Sequence, residues 1–110
     1  MKDEANSQAL PTELDPILMN PTRFIIATTL YLFGQKKEGD LKKILGIPWG
    51  NLSTHLRRLE EAGYIKRRHV LTVQGPRVMV SLTERGLDAY SELSTTLRKL
   101  LEGVEKTVKA

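Results

Sequence analysis

The apolar residues of this chain change their spacing twice, and that change limits the fold more than any other feature. From Asp40 to Gly63 they recur every three to four positions. Between Tyr64 and Leu82 they fall in two runs rich in β-branched side chains, and after Thr83 the helical spacing returns. A helix buries a stripe and a strand buries alternate residues, so the pattern predicts three helices, a hairpin and a fourth helix around shared apolar surface. At 110 residues the chain supports one core, because two would leave each half too little apolar area to bury. The expected class is therefore mainly α with a β-hairpin, an α+β arrangement.

Residues 1–12 are polar, include Pro11 and are expected to form a flexible tail. Glu13 to Met19, carrying Leu14, Ile17 and Leu18, is expected to be a short helical lead-in broken at Asn20-Pro21. Asn20 then caps a helix with Pro21 at its first position. The run Thr22 to Phe33 is apolar on nearly every face until Gly34, which predicts a helix packed on several sides at the centre of the core. Gln35 to Gly39 reads as a polar link. Asp40 to Gly46 reads as a short amphipathic helix with Leu41, Ile44 and Leu45 inward.

Ile47-Pro48 opens a third helix whose Leu52, Leu56 and Leu59 form one core stripe, with Gly63 as its stop. Tyr64 to Leu71 and Arg77 to Leu82 are expected to be the hairpin strands, joined by a turn from Thr72 to Pro76. In the return strand Val78, Val80 and Leu82 alternate with Arg77, Met79 and Ser81, as in a strand with one face on the core. Thr83 caps a final helix from Glu84 to about Lys106.

Several function classes are disfavoured by what the chain lacks. With no cysteine there is no disulfide framework and no thiolate metal site. His55 and His69 stand apart from any ligand-spaced cluster, no glycine-rich loop follows a strand, and no nucleophile neighbours a base, so neither a metal, a cofactor nor an enzyme activity is expected. The N-terminal residues lack the apolar core of a signal peptide, and no apolar stretch is long enough to span a bilayer, which predicts a soluble cytoplasmic protein.

Charge points in a more specific direction. From Lys36 to Arg85 the chain carries eleven Lys and Arg against five Asp and Glu, whereas the remainder is net acidic. A basic middle segment fits a polyanion partner, although an ordinary solvated surface would look the same on charge alone. The third helix adds chemistry to charge. At about 100° per residue, Gly50, Thr54, Arg57 and Glu61 fall opposite the leucine stripe, with Asn51, Ser53 and Arg58 beside them.

Asn, Ser, Thr and Arg carry the donors and acceptors that match base edges in a DNA major groove, and here they occupy the first turns of a helix. Asn51 and Thr54 are expected nearest base edges, with Arg57 on a guanine edge or a phosphate and Ser53, His55 and Arg58 on the backbone. Gly50 permits close approach. Glu60 and Glu61 at the far end would repel phosphate, so the N-terminal end should point inward. Trp49 reads as a packing residue at the helix start, or alternatively as a ring free to stack on a sugar or ligand.

The strings Leu45-Gly46-Ile47, Gly50-Asn51-Leu52-Ser53-Thr54-His55-Leu56-Arg57-Arg58-Leu59-Glu60-Glu61-Ala62-Gly63-Tyr64-Ile65 and Leu82-Thr83-Glu84-Arg85-Gly86 resemble winged-helix transcriptional regulators of the MarR/ArsR-like group. The resemblance spans roughly Leu14 to Leu101. It implies sequence-specific binding of a double-stranded operator by a dimer, usually as a repressor. Residues 13–86 would be the winged helix-turn-helix domain and 87–110 a dimerisation helix.

On the expected wing, Lys66, Arg67 and Arg68 with Arg77 on the return strand suit phosphate and minor-groove contact, and Arg77 follows Pro76 as the wing arginine does in the family pattern. The first three would serve equally as a charged edge that discourages strand aggregation. Val70, Leu71 and Val73 make the tip more apolar than the family pattern, which argues against deep minor-groove insertion and leaves packing along the hairpin or on a partner subunit. In the last helix Tyr90, Leu93, Leu97, Leu100 and Val104 alternate three and four apart, a coiled-coil spacing widened by Leu87 and Leu101. Leu87 and Tyr90 are expected to fold back on the first helix, and Leu93, Leu97, Leu100, Leu101 and Val104 to meet a second copy. A two-fold dimer would read a near-palindrome. A chromatin-type binder without sequence preference, or a winged-helix protein-interaction module, would share the same pattern, and no residue singles out an effector.

Overall fold

Residues 12–109 are described by a computed structural model, and residues 1–11 and 110, including nearly all of the expected tail, lie outside it. The chain runs α1 (Pro21–Phe33), β1 (Lys36–Lys37), α2 (Glu38–Leu45), α3 (Trp49–Glu61), β2 (Ile65–Thr72), β3 (Gly75–Leu82) and α4 (Glu84–Lys109). The strands form one antiparallel sheet in the order β1-β3-β2.

The lead-in from Glu13 to Met19 is one capped turn, not a helix. Asp15 Oδ1 accepts hydrogen bonds from the Ile17 and Leu18 backbone N–H groups at 2.8 and 3.1 Å, competing with helical pairing and turning Leu18 into the core. The other Asp15 oxygen accepts from the Tyr64 hydroxyl. Burial, followed by that carboxylate, pushes the Tyr64 phenol up to about 12, so it remains a donor. Asn20 caps α1 as expected, its side chain accepting from the Arg23 N–H.

The core is built from Leu18, Ile26, Ala27, Leu30, Leu41, Leu52, Leu56, Leu59, Ile65, Val80, Tyr90 and Leu93. Helix α1 supplies its centre but is not packed all round, because Ile25, Tyr31, Leu32 and Phe33 remain exposed. In α2 the core takes Leu41 and part of Leu45, while Ile44 is 55% exposed, contrary to expectation. Two turns of helix present only one narrow line inward, and that line passes on the Leu45 side.

The supposed polar link contains β1, whose Lys36 and Lys37 pair with Val80 and Met79 of β3. Two lysines have no period to read, and a short charged strand is how a sheet edge is commonly blunted. The hairpin turn is also tighter than the Gly-Pro pair suggested. Gly75 and Pro76 are already on β3, opposite Thr72 and Leu71, leaving Val73 and Gln74 as the loop. Thr72 closes it by donating to the Gly75 carbonyl at 2.8 Å and accepting from the Gln74 N–H at 3.2 Å. Pro76 is tolerated because β1 pairs farther along β3, at Met79 and Val80.

At the base of the hairpin Thr83 joins three segments. Its backbone N–H donates to the Tyr64 carbonyl, its hydroxyl donates to the Gly63 carbonyl, and its side-chain oxygen accepts from Gly86. Helix α4 then runs for 26 residues, and its first half packs on α1. The Tyr90 ring lies 5.6 Å from that of Phe24 and 4.8 Å from that of Tyr31, with its hydroxyl 2.7 Å from Thr28 Oγ1. Leu93 is only 3% exposed within this chain, so it belongs to the protomer's own core and not to the seam proposed for it. Leu87, expected on α1, faces outward instead.

The Thr83 junction has no room for a side chain at Gly86, where an added Cβ would stand 2.0 Å from the Tyr64 carbonyl oxygen. Gly86→Ala is expected to destabilise the fold by about 3 kcal/mol or more, the upper range for overpacking, read as a fall in the midpoint of chemical denaturation.

Candidate nucleic-acid interface

Helix α3 is fixed by Leu52, Leu56 and Leu59, all essentially inaccessible. The opposite surface is open: Gly50, Asn51, Ser53, Thr54, Arg57 and Arg58 are exposed, and nothing lies within 4 Å of the position a Gly50 side chain would take. The Thr54 hydroxyl donates to the Gly50 carbonyl at 3.0 Å, leaving its oxygen free to accept. Pro48 precedes the helix without a side-chain cap, so the first N–H groups of α3 keep their capacity to face an anion. Among the described residues Arg57 and Arg58 form no ion pair.

The two flanks of α3 differ. On the wing side Arg67 bridges Glu38 at 3.2 Å and Glu60 at 2.8 Å. The bond to Glu60 chiefly, with Glu38 adding to it, raises the guanidinium pKa against the opposing effect of burial. This corrects its place in the Lys66-Arg67-Arg68 triplet, because Arg67 is a strut between α2, α3 and β2 and its charge is already answered. The sequence held the signal: Arg67 lies two residues after the buried Ile65 and opposite Val80, hence on the core face of β2.

Lys66 and Arg68 lie on the other face of the ribbon, as does Arg77, which pairs across from Val70. Arg68 reaches Gln35 at 3.4 Å, and Arg77 donates to the Pro76 carbonyl at 2.7 Å. From Tyr64 to Leu82 the hairpin carries four Lys and Arg and no carboxylate. Leu71 at the tip is 84% exposed and Val73 wholly so, which shows that they do not pack along the hairpin. Trp49 lines a groove of roughly 280 Å³ with Lys37, His69, Pro76 and Arg77. One edge of its ring covers Gly39 and the Lys42 ammonium sits 5.6 Å from the centroid, so packing accounts for only part of a side chain that is about half exposed.

On the opposite flank the structure adds a residue that sequence reading missed. Arg23, from the first turn of α1, donates through Nε to the Ile17 carbonyl at 2.6 Å and through Nη1 to His55 Nδ1 at 3.2 Å. Burial first, then the charges of Arg23 and Arg58, hold the His55 ring below its ordinary pKa. Its only sequence signal was a lone cation in an otherwise apolar helix. Among the described residues no group of three His, Asp or Glu side chains could hold a metal, and no helix is long and apolar enough to cross a membrane.

This combination of a solvent-open third helix and a cationic hairpin defines a winged helix. Residues 22–101 match the winged helix DNA-binding domain family, and the chain belongs to it. Solved structures agree. A transcriptional regulator homologue from Pyrococcus horikoshii OT3 is 30% identical, with a TM-score of 0.75 over 80% of this chain and 87% of that one. A MarR-family transcriptional regulator from Enterococcus faecalis V583 is 25% identical, with a TM-score of 0.76 over 86% and 84%. NadR, solved in complex with 4-hydroxyphenylacetate, is 27% identical, with a TM-score of 0.67 over 84% and 68%. The expected resemblance to MarR-like winged-helix regulators therefore holds. No curated protein matches the chain.

The depressed His55 pKa has a thermodynamic consequence. In the unfolded chain the ring titrates near 6.5, and in the fold it titrates lower, so between the two values the unfolded state binds more protons. Stability should fall as pH is lowered from 6.5 toward the folded value and level off below it. His55→Gln should flatten that part of the profile, measured as denaturation midpoint against pH.

Proposed function

We propose that this protein binds operator DNA sequence-specifically as a homodimer and regulates transcription, acting as a repressor by occupying the operator. The observation that carries the reading is the open face of α3, where Asn51, Thr54 and Arg57 are exposed opposite a fully buried leucine stripe. Membership of the winged helix DNA-binding domain family supports it, as do the regulator names of similar structures. In this arrangement α3 enters the major groove, Asn51 and Thr54 meet base edges, and Arg57 reads a guanine edge or holds a phosphate. Ser53, His55 and Arg58 hold the backbone, while Lys66, Arg68 and Arg77 extend the contact along the adjacent phosphates.

Dimerisation is supported by apolar surface that one protomer leaves wet. In the second half of α4 Leu101 is 66% exposed, Val104 and Val108 are similarly open, and Leu100 is half-buried. Leaving a large apolar side chain in water forgoes roughly 1.5–3 kcal/mol, and a second copy of the same helix would recover much of it. Leu97 is already partly buried against its own protomer's core, so the seam is weighted toward Leu100, Leu101 and Val104. A two-fold dimer would place its recognition helices on half-sites about 10 bp apart or a multiple of that.

Selection of bound sequences from a random duplex pool should return a near-palindrome. Equal affinity for selected and random duplexes at fixed salt would make the protein an architectural binder, and no binding at low salt would make it a protein-interaction module. Arg57→Ala and Asn51→Ala are each expected to weaken selected-site binding by about 1–3 kcal/mol while changing random-duplex binding less. Leu101→Glu should halve the mass seen in sedimentation and weaken operator binding with the thermal transition retained; an unchanged mass would remove the α4 seam.

A further inference from the structure

The major groove has two phosphate walls, and the wing accounts for only one of them. Seen down α3, Trp49, Ser53 and Glu60 lie on the flank toward the wing, where Glu60 is tied to Arg67 of β2. Asn51, His55 and Arg58 fall at i, i+4 and i+7 on the other flank, against which the first turn of α1 brings Arg23. We propose that Arg23, His55 and Arg58 form a seat for a DNA phosphodiester on the groove wall opposite the wing. This rests on the DNA-binding reading above and adds to it a contact outside the recognition helix and the hairpin.

Three features of the cluster favour an anion. First, the nearby charges are all of one sign: Arg23 and Arg58 act on His55 from α1 and α3, and among the described residues neither arginine forms an ion pair. The wing-side flank, by contrast, meets its arginine with two carboxylates. Second, the Arg23 fork is pre-positioned. Nε is held by the Ile17 carbonyl and Nη1 by His55, leaving Nη2 and further N–H groups for an acceptor, with little side-chain freedom left to lose. Third, the arginine fixes the imidazole tautomer. A guanidinium only donates, so Nδ1 is the acceptor and the ring proton resides on Nε2, giving a neutral donor next to two cations.

Arg23 is a contact in this scheme and also a positioning residue for His55. A phosphodiester seated there would carry no sequence information, but it would set how α3 lies across the groove. A phosphate close to the ring would also favour its protonated form, so His55 should bind a proton more readily in the complex than in the free protein.

The test is made with the intact protein and duplexes in which one phosphate at a time is replaced by a neutral methylphosphonate. Wild type should lose affinity at a phosphate on the wall away from the wing, and Arg23→Ala should lose less at that same replacement, because only His55 and Arg58 then remain to hold it. The salt dependence should fall by about 0.9 in log-log slope for the contact removed, with selected and random duplexes weakened by the same factor. Arg23→Gln, which removes the charge and keeps an N–H donor for the Ile17 carbonyl, should show the same loss of slope and serves if the alanine variant fails to fold. A folded Arg23→Ala protein with unchanged slope and unchanged methylphosphonate sensitivity overturns the seat while the DNA-binding reading stands. Failure of wild type to bind any duplex overturns that reading first.

Discussion

The burial of Leu52, Leu56 and Leu59 holds everything else in register. Each is inaccessible from one side of α3, and turning that helix by one residue's worth of rotation would bring at least one of them toward water at a cost of about 1.5–3 kcal/mol. The polar half of α3 therefore has one orientation, outward. The hydrogen bonds that leave α3 reinforce this from both sides, through Glu60 to Arg67 and through His55 to Arg23. A surface that must fit a groove of fixed width gains from such rigidity, because little order remains to be imposed on binding.

The carboxylates near this surface are placed so that they do not oppose an anion. Glu38 and Glu60 are both turned onto Arg67 of the wing, which converts three charges into one internal network with a net charge of one negative. Glu61 remains exposed, at the C-terminal end of α3, where the helix dipole is also unfavourable to phosphate. The cations left unanswered, Arg57, Arg58, Lys66 and Arg68, lie on the open face of α3 and the outward face of the ribbon. A modest net charge on the whole chain thus becomes a net positive local surface, and the sign of the partner follows from position more than from composition.

The parts of this structure that repeat a period over several turns were legible in the sequence. The α3 stripe and the alternation of Val78, Val80 and Leu82 each offer three or more residues in phase, and the structure places α3 and β3 over them. What escaped is short or depends on a distant partner. β1 is two lysines, the lead-in is a turn because one aspartate captures two backbone N–H groups, and Ile44 and Leu45 differ in burial only through where a two-turn helix meets the core. Leu93 fits a coiled-coil spacing and a monomer core equally well, and only the tertiary packing, which buries it in the protomer's own core, decides between them. Arg67 was recoverable from strand alternation. Arg23 was not, since its partner is 32 residues away in a helix whose orientation no local pattern specifies.

Helix α1 links the two ends of the molecule. Its first turn carries Arg23, which holds His55 on α3, and along the same helix Phe24, Thr28 and Tyr31 grip Tyr90 of α4 through two ring contacts and a hydroxyl bond. The apolar second half of α4 is thereby connected to the open face of α3 through the packing of three helices, α4 on α1 and α1 on α3. If two copies join through α4, the separation and tilt of their recognition helices are set by side chains packed inside each protomer. Spacing between half-sites is then a property of the core, and a substitution at the α1–α4 contact would alter which DNA the dimer fits without touching a residue that meets it.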